Sequence, residues 1–112
     1  MYTVIEQWTP KQAFLDASIE ERGALFTTVG ATLTELEEIG VRCLGASATR
    51  AAPSATAHNW FAVWEMSDEA SVSAFFDVVN ASGWYDYFDQ VNTVGECVPI
   101  ADVLAQHMVL RP

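Results

Sequence analysis

The chain has 112 residues, enough for one hydrophobic core and too few for a catalytic domain joined to a regulatory one. Fifteen Asp and Glu against five Lys and Arg leave a formal charge of −10, which repels polyanions and argues against nucleic acid and anionic membrane surfaces as partners. With 51 % hydrophobic and 12 % aromatic residues, the composition lies far from that of chains that stay disordered.

Residues 2 to 8 are rich in Tyr, Val, Ile and Trp and predict a first strand with both faces at least partly covered. Thr9-Pro10-Lys11-Gln12 reads as a capping box with proline at the first helical position, opening a short helix to about Ala17. Ser18-Ile19-Glu20-Glu21 repeats the pattern, and Arg22, Phe26, Val29, Leu33 and Leu36 then share one face of a long amphipathic helix that stops at Gly40. Val41 to Ala48 predicts a second strand and Asn59 to Met66 a third. The Ala/Ser/Thr-rich connection of residues 49–58 is either a gate over a site or a surface excursion. Ser67-Asp68-Glu69 opens a further helix with the apolar stripe Val72, Phe75, Phe76 and Val79, ended by Gly83. After the aromatic and acidic stretch Trp84–Asp89, a fourth strand is expected from about Asn92 to Val98, and Pro99 starts a last helix. No internal repeat or linker divides residues 1–112, which read as one domain.

The N-terminal residues carry no basic region ahead of an apolar stretch, and no apolar run approaches the roughly 20 residues that span a bilayer. Cys43 and Cys97 are too few for a disulfide scaffold. A cytoplasmic protein is expected, with both cysteines as small packed hydrophobes.

The order strand, helix, strand, strand, helix, strand predicts an α+β, ferredoxin-like βαββαβ domain with an antiparallel four-stranded sheet in the order 4-1-3-2. That order puts Cys43 and Cys97 on opposite edges, too far apart for an intrachain disulfide. Two helices cover one face of such a sheet. The third strand nevertheless carries apolar residues on both sides, Trp60, Ala62, Trp64 and Met66 against Phe61 and Val63, so a second copy is expected to cover the other side. The expectation is that two protomers hide the tryptophan-bearing sides of their sheets against each other.

In this element order, and in segments such as Tyr2-Thr3-Val4-Ile5-Glu6-Gln7-Trp8 and Gly83-Trp84-Tyr85-Asp86-Tyr87-Phe88, the chain resembles the dimeric α/β-barrel superfamily, a small bacterial branch of it. The resemblance implies a homodimer with a pocket in each half. It implies one of several activities: cofactor-independent monooxygenases, polyketide cyclases, isomerases, haem-degrading enzymes and stress-response proteins all share the fold.

Glu6 is the leading catalytic candidate, since strand alternation places it with Tyr2, Val4 and Trp8, where a carboxylate is surrounded by apolar groups that raise its basicity. The plainer role is a structural Glu paired to a neighbour such as Arg42. His58, His107 and Tyr85 are the further catalytic candidates, as proton shuttle or donor, with an exposed loop residue and a helix-packed imidazole as the plainer readings of the two histidines. Trp8, Trp60, Trp64, Trp84, Tyr87 and Asp86 are candidates for binding a flat apolar ligand, with Gln7, Asn59 and Asn92 as weaker contributors. No metal-ligand spacing, phosphate loop or nucleophile elbow occurs, so no cofactor is expected. The function expected is a small cofactor-independent enzyme of biosynthesis, of monooxygenase, cyclase or isomerase type, that abstracts a proton from a hydrophobic, aromatic or polyketide-like metabolite in an apolar pocket. The alternatives are a non-catalytic ligand-binding or stress-response dimer and a haem binder using His58 or His107.

Overall fold

The computed structural model describes Met1–Pro112 and has the expected α+β architecture. Its elements are β1 (Tyr2–Pro10), α1 (Gln12–Asp16), α2 (Ile19–Glu38), β2 (Arg42–Ala48), β3 (Trp60–Met66), α3 (Glu69–Ala81), α4 (Trp84–Tyr87), β4 (Phe88–Glu96) and α5 (Ile100–Met108). The sheet is antiparallel throughout, in the order β2-β3-β1-β4. No helix is long and apolar enough to cross a membrane.

Local chemistry explains the boundaries. Ser18 caps α2 by accepting the Glu21 N–H, and Glu20 and Glu21 lie in the positive first turn. At its other end Gly40 takes φ 88°, with Gly40 N–H bonded to Glu37 O and Val41 N–H to Leu36 O. This is a Schellman closure, and its hydrophobic pair, Leu36 and Val41, belongs to the core. Asp68 caps α3 through the N–H and hydroxyl of Ser71, bonds that hold its carboxyl below the ordinary aspartate range.

Three expectations are corrected. Pro10 ends β1 instead of opening α1, whose N-cap is Lys11 with no side-chain bond. Pairing of Pro10 with Phe88 extends the strand past the proposed capping box. β4 begins at Phe88, four residues before Asn92, because it pairs with the whole of β1. The tryptophan-bearing side of the sheet is covered by the chain's own helices and is not the side left for a partner. Val4, Met66 and Phe75 are fully buried there, and Trp64 packs on Phe75 at 5.0 Å. The open side carries Ile5, Phe61, Val63 and Val91 instead.

The residues 49–58 connection lies over this open side, where Thr49, Arg50, Ala52 and Thr56 border a shallow groove with Ile5, Gln7 and Phe61. It gates nothing on the helical side. α5 stands apart from the body, with Ile100, Leu104 and Met108 exposed, the last by 85 %. The radius of gyration, 16.3 Å, accordingly exceeds the ~13 Å of a compact chain this long.

Candidate functional site

The close-packed core of Val4, Leu36, Val41, Met66 and Phe75 fills the space between helices and sheet at one end of β1. Further along the strand the layers separate. The rung of the sheet that crosses Glu6 reads Ala46, Ala62, Glu6, Asn92, so two alanines stand where larger side chains would fill the gap. A cavity of about 290 Å3 opens above them, walled by α2 and α3 and by Trp8, Trp64 and Trp84. This is at the small end of the range for ligand sites.

Glu6 is the carboxylate of that cavity and is only 6 % exposed. Both of its oxygens accept hydrogen bonds: Oε1 from the indole N–H of Trp64 at 2.6 Å, Oε2 from the amide of Gln90 at 2.7 Å. Both partners sit diagonally across the sheet, Trp64 opposite Val4 and Gln90 opposite Trp8. Loss of hydration on burial pushes the Glu6 carboxyl above the ordinary glutamate range, and the bonds from Gln90 and Trp64 partly offset it. Arg42, its imagined partner, pairs instead with Glu65 at 3.4 Å.

The network continues outward. Gln90 accepts from Trp84 Nε1 and donates to Asn92 Oδ1, each at 2.7 Å, and Asn92 Nδ2 reaches Tyr85 Oη at 3.4 Å. The other hydroxyls of the cavity wall are committed to their own helices: Thr32 donates to Val29 O at 2.7 Å and Ser82 to Val79 O at 2.7 Å. Glu6 is therefore the one carboxylate among the residues that line the cavity, which also include Cys43.

The structure brings Glu6, Trp8, Trp64 and Trp84 together and links Tyr85 to them through Asn92. It separates the others. His58 holds Nδ1 at 3.2 Å from Thr9 Oγ1, on the face of β1 opposite Glu6. His107 lies on exposed α5, its Nδ1 2.8 Å from Val103 O. Trp60 is at the end of β3, 43 % exposed and outside the cavity. Tyr87 packs edge-on against Phe14 at 6.3 Å, Asp86 is exposed, and Gln7 faces the shallow groove on the open side. Asn59 contributes its backbone N–H to Trp8 O. Cys43 and Cys97 are free and exposed, not packed in the core. Sequence reading missed Gln90, because a strand begun at Asn92 leaves it outside. Extending the alternation of β4 back to Phe88 puts Gln90 on the Glu6 side.

A haem held by histidine, as the superfamily resemblance allows, does not fit this arrangement. Neither His58 nor His107 lines the cavity, so no imidazole is placed to ligate an iron held there.

Residues 1–110 match a protein family of unknown function, DUF6616, and the chain belongs to that family. No curated protein matches its sequence. Its ferredoxin-like fold is shared by solved structures of low sequence identity. It is similar to the crystal structure of "Putative Chlorite dismutase TA0507", with a TM-score of 0.66 and 14 % identity over 97 % of this chain and 48 % of that one. The chain thus spans about half that protein's length. It is also similar to At3g17210 from Arabidopsis thaliana, with a TM-score of 0.59 and 7 % identity over 88 % of this chain and 97 % of that one.

Proposed function

We propose that the chain is a small cytoplasmic enzyme that works without metal or organic cofactor and uses Glu6 to remove a proton from a hydrophobic, aromatic metabolite held in the cavity. The observation that carries this reading is a buried carboxylate with no cation beside it, at the wall of an otherwise apolar chamber. An ionised Glu6 there is a stronger base than in water, because proton uptake relieves the cost of holding charge away from solvent. Transfer of a proton from carbon to Glu6 leaves the electron pair delocalised over the ligand. Return of that proton at another carbon completes an isomerisation and restores the carboxylate. Cyclisation, or attack on molecular oxygen by the same carbanion, would begin with the same step. No basic side chain lines the cavity to hold the resulting anion, so the ligand must spread the charge over its own conjugated system.

A homodimer belongs to the same proposal. Ile5, Phe61, Val63 and Val91 form an apolar face that the chain's own helices leave open, and the apolar side of α5 has no packing partner in its own protomer. A second copy would cover both at once.

The test uses 2-tetralone, a neutral bicyclic ketone with acidic C–H bonds, incubated with the protein in D2O and followed by proton NMR. Wild-type protein accelerates deuterium entry, and Glu6→Gln slows it by about 10²- to 10⁴-fold, the usual contribution of a positioned base. Binding of the ketone without accelerated exchange would favour the alternative, a dimer that holds a ligand without converting it. The engagement of both Glu6 oxygens is the feature of the site that fits that alternative.

A further inference from the structure

Gln90 makes all its side-chain hydrogen bonds in one orientation. Its Oε1 faces the indole N–H of Trp84 at 2.7 Å, and Nε2 lies 2.7 Å from both Glu6 Oε2 and Asn92 Oδ1. An indole nitrogen donates and cannot accept, so the amide atom opposite Trp84 has to be the oxygen. The amide is planar, and fixing its oxygen fixes its nitrogen on the other side, against Glu6. Asn92 agrees with that setting, since it turns its oxygen to Gln90 and its nitrogen to Tyr85. On the other side of the carboxylate, Trp64 is likewise a donor that cannot reverse.

We infer that Trp84, which has no hydrogen bond to Glu6, is a positioning residue of the site: by holding the Gln90 amide it obliges Glu6 to receive hydrogen bonds on both oxygens and so favours the ionised, proton-accepting form. The inference rests on the reading of Glu6 as the base. Burial works in the opposite direction, so removing the restraint lets Glu6 take up a proton more readily. A freed Gln90 can turn its oxygen to Glu6, an arrangement that requires the carboxyl to carry a hydrogen. The indole N–H of Trp64 acts on the other oxygen in the same sense, and no charged side chain competes with the two donors. α2, α3 and β3 present no ionisable side chain to the cavity, β2 presents Cys43, and the Tyr85 hydroxyl of α4 communicates only through Asn92.

The experiment is a titration of the Glu6 side-chain carboxyl by carbon-13 NMR in protein labelled at the glutamate carboxyl carbon, its signal assigned by its loss in Glu6→Gln. The titration is followed in wild type, Trp84→Phe, Gln90→Leu and the double variant. Phe keeps an aromatic ring over Phe88, on which Trp84 stacks at 4.0 Å, while removing the N–H. Trp84→Phe shifts the Glu6 midpoint upward, Gln90→Leu shifts it upward too, and in the Gln90→Leu background Trp84→Phe adds nothing. An unchanged midpoint in Trp84→Phe, or an equal shift in both backgrounds, overturns the inference. Should the Phe variant not fold, the wild-type Gln90 amide answers instead. Two non-equivalent N–H protons protected from solvent exchange support the lock, and averaged, rapidly exchanging ones overturn it. If the titration ignores Trp84 while Glu6→Gln still abolishes deuterium exchange, the lock fails and the base stands. If the lock holds and exchange is absent, the converse applies.

Discussion

The indole of Trp64 reaches past Val4, its partner in the strand register, to donate to Glu6 at 2.6 Å. The diagonal leaves the position directly across from Glu6 to Ala62, whose small side chain keeps the chamber open. One arrangement thus supplies both a donor to the carboxylate and the space beside it.

The charge on Glu6 should be legible in stability. Its carboxyl is raised by burial, so between the unfolded and the folded titration midpoints the folded state binds more protons. Stability therefore falls as pH rises through that window, starting at the ordinary glutamate value. Glu6→Gln loses this slope. The amide leaves one of two buried donors, Trp64 or Gln90, without an acceptor at a cost of about 1–3 kcal/mol, offset by removal of the buried charge. Melting temperatures of the two proteins across acid to neutral pH should differ in slope more than in height. Parallel curves would contradict the assignment.

Filling the chamber should separate binding from folding. Ala46→Leu places a larger side chain over the rung that crosses Glu6, on an edge strand able to give way, at a stability change below about 3 kcal/mol. The variant should fold and lose deuterium exchange into 2-tetralone. Phe75→Ala, at a fully buried position, should cost roughly 3–5 kcal/mol by chemical denaturation.

Much of the fold was readable because period and punctuation agree. Ser18 and Asp68 cap where expected, Gly40 and Gly83 take positive φ where their helices stop, and the stripe on α3 buries Phe75. Glu6 was readable for the same reason, as the one charged residue on the inward alternation of an apolar strand. Pro10 and Gln90 were not. Each is governed by pairing between β1 and β4, residues some eighty positions apart, and no local pattern announces how far such a ladder runs. Which face of the sheet the helices cover is not legible either, because both faces of β3 are apolar and alternation alone does not distinguish them.

Gly40→Ala should cost roughly 1–2 kcal/mol, because φ 88° is a left-handed conformation that a Cβ resists while nothing crowds the site, the nearest atom being Ser67 Oγ at 3.5 Å. Urea titration measures it. A neutral result would remove the Schellman closure from the account of how α2 ends.

The open sheet face makes the dimer testable. Val91, half exposed on that face, becomes the site of an unpaired charge in Val91→Lys, which a covered interface does not accommodate. Sedimentation should show the wild type as a dimer and the variant shifted to monomer. A monomeric wild type, or a variant that stays dimeric, contradicts burial of this face by a second copy.

The most direct measurement is the titration of the Glu6 carboxyl in the folded wild-type protein, read from its carbon-13 resonance. A midpoint clearly above that of a glutamate in the unfolded chain is the result expected of a carboxylate lodged beside Trp64 and Gln90 in an apolar chamber. A midpoint at or below the unfolded value would mean that hydration, a cation or the two hydrogen-bond donors outweigh burial, and the proposed base would not exist.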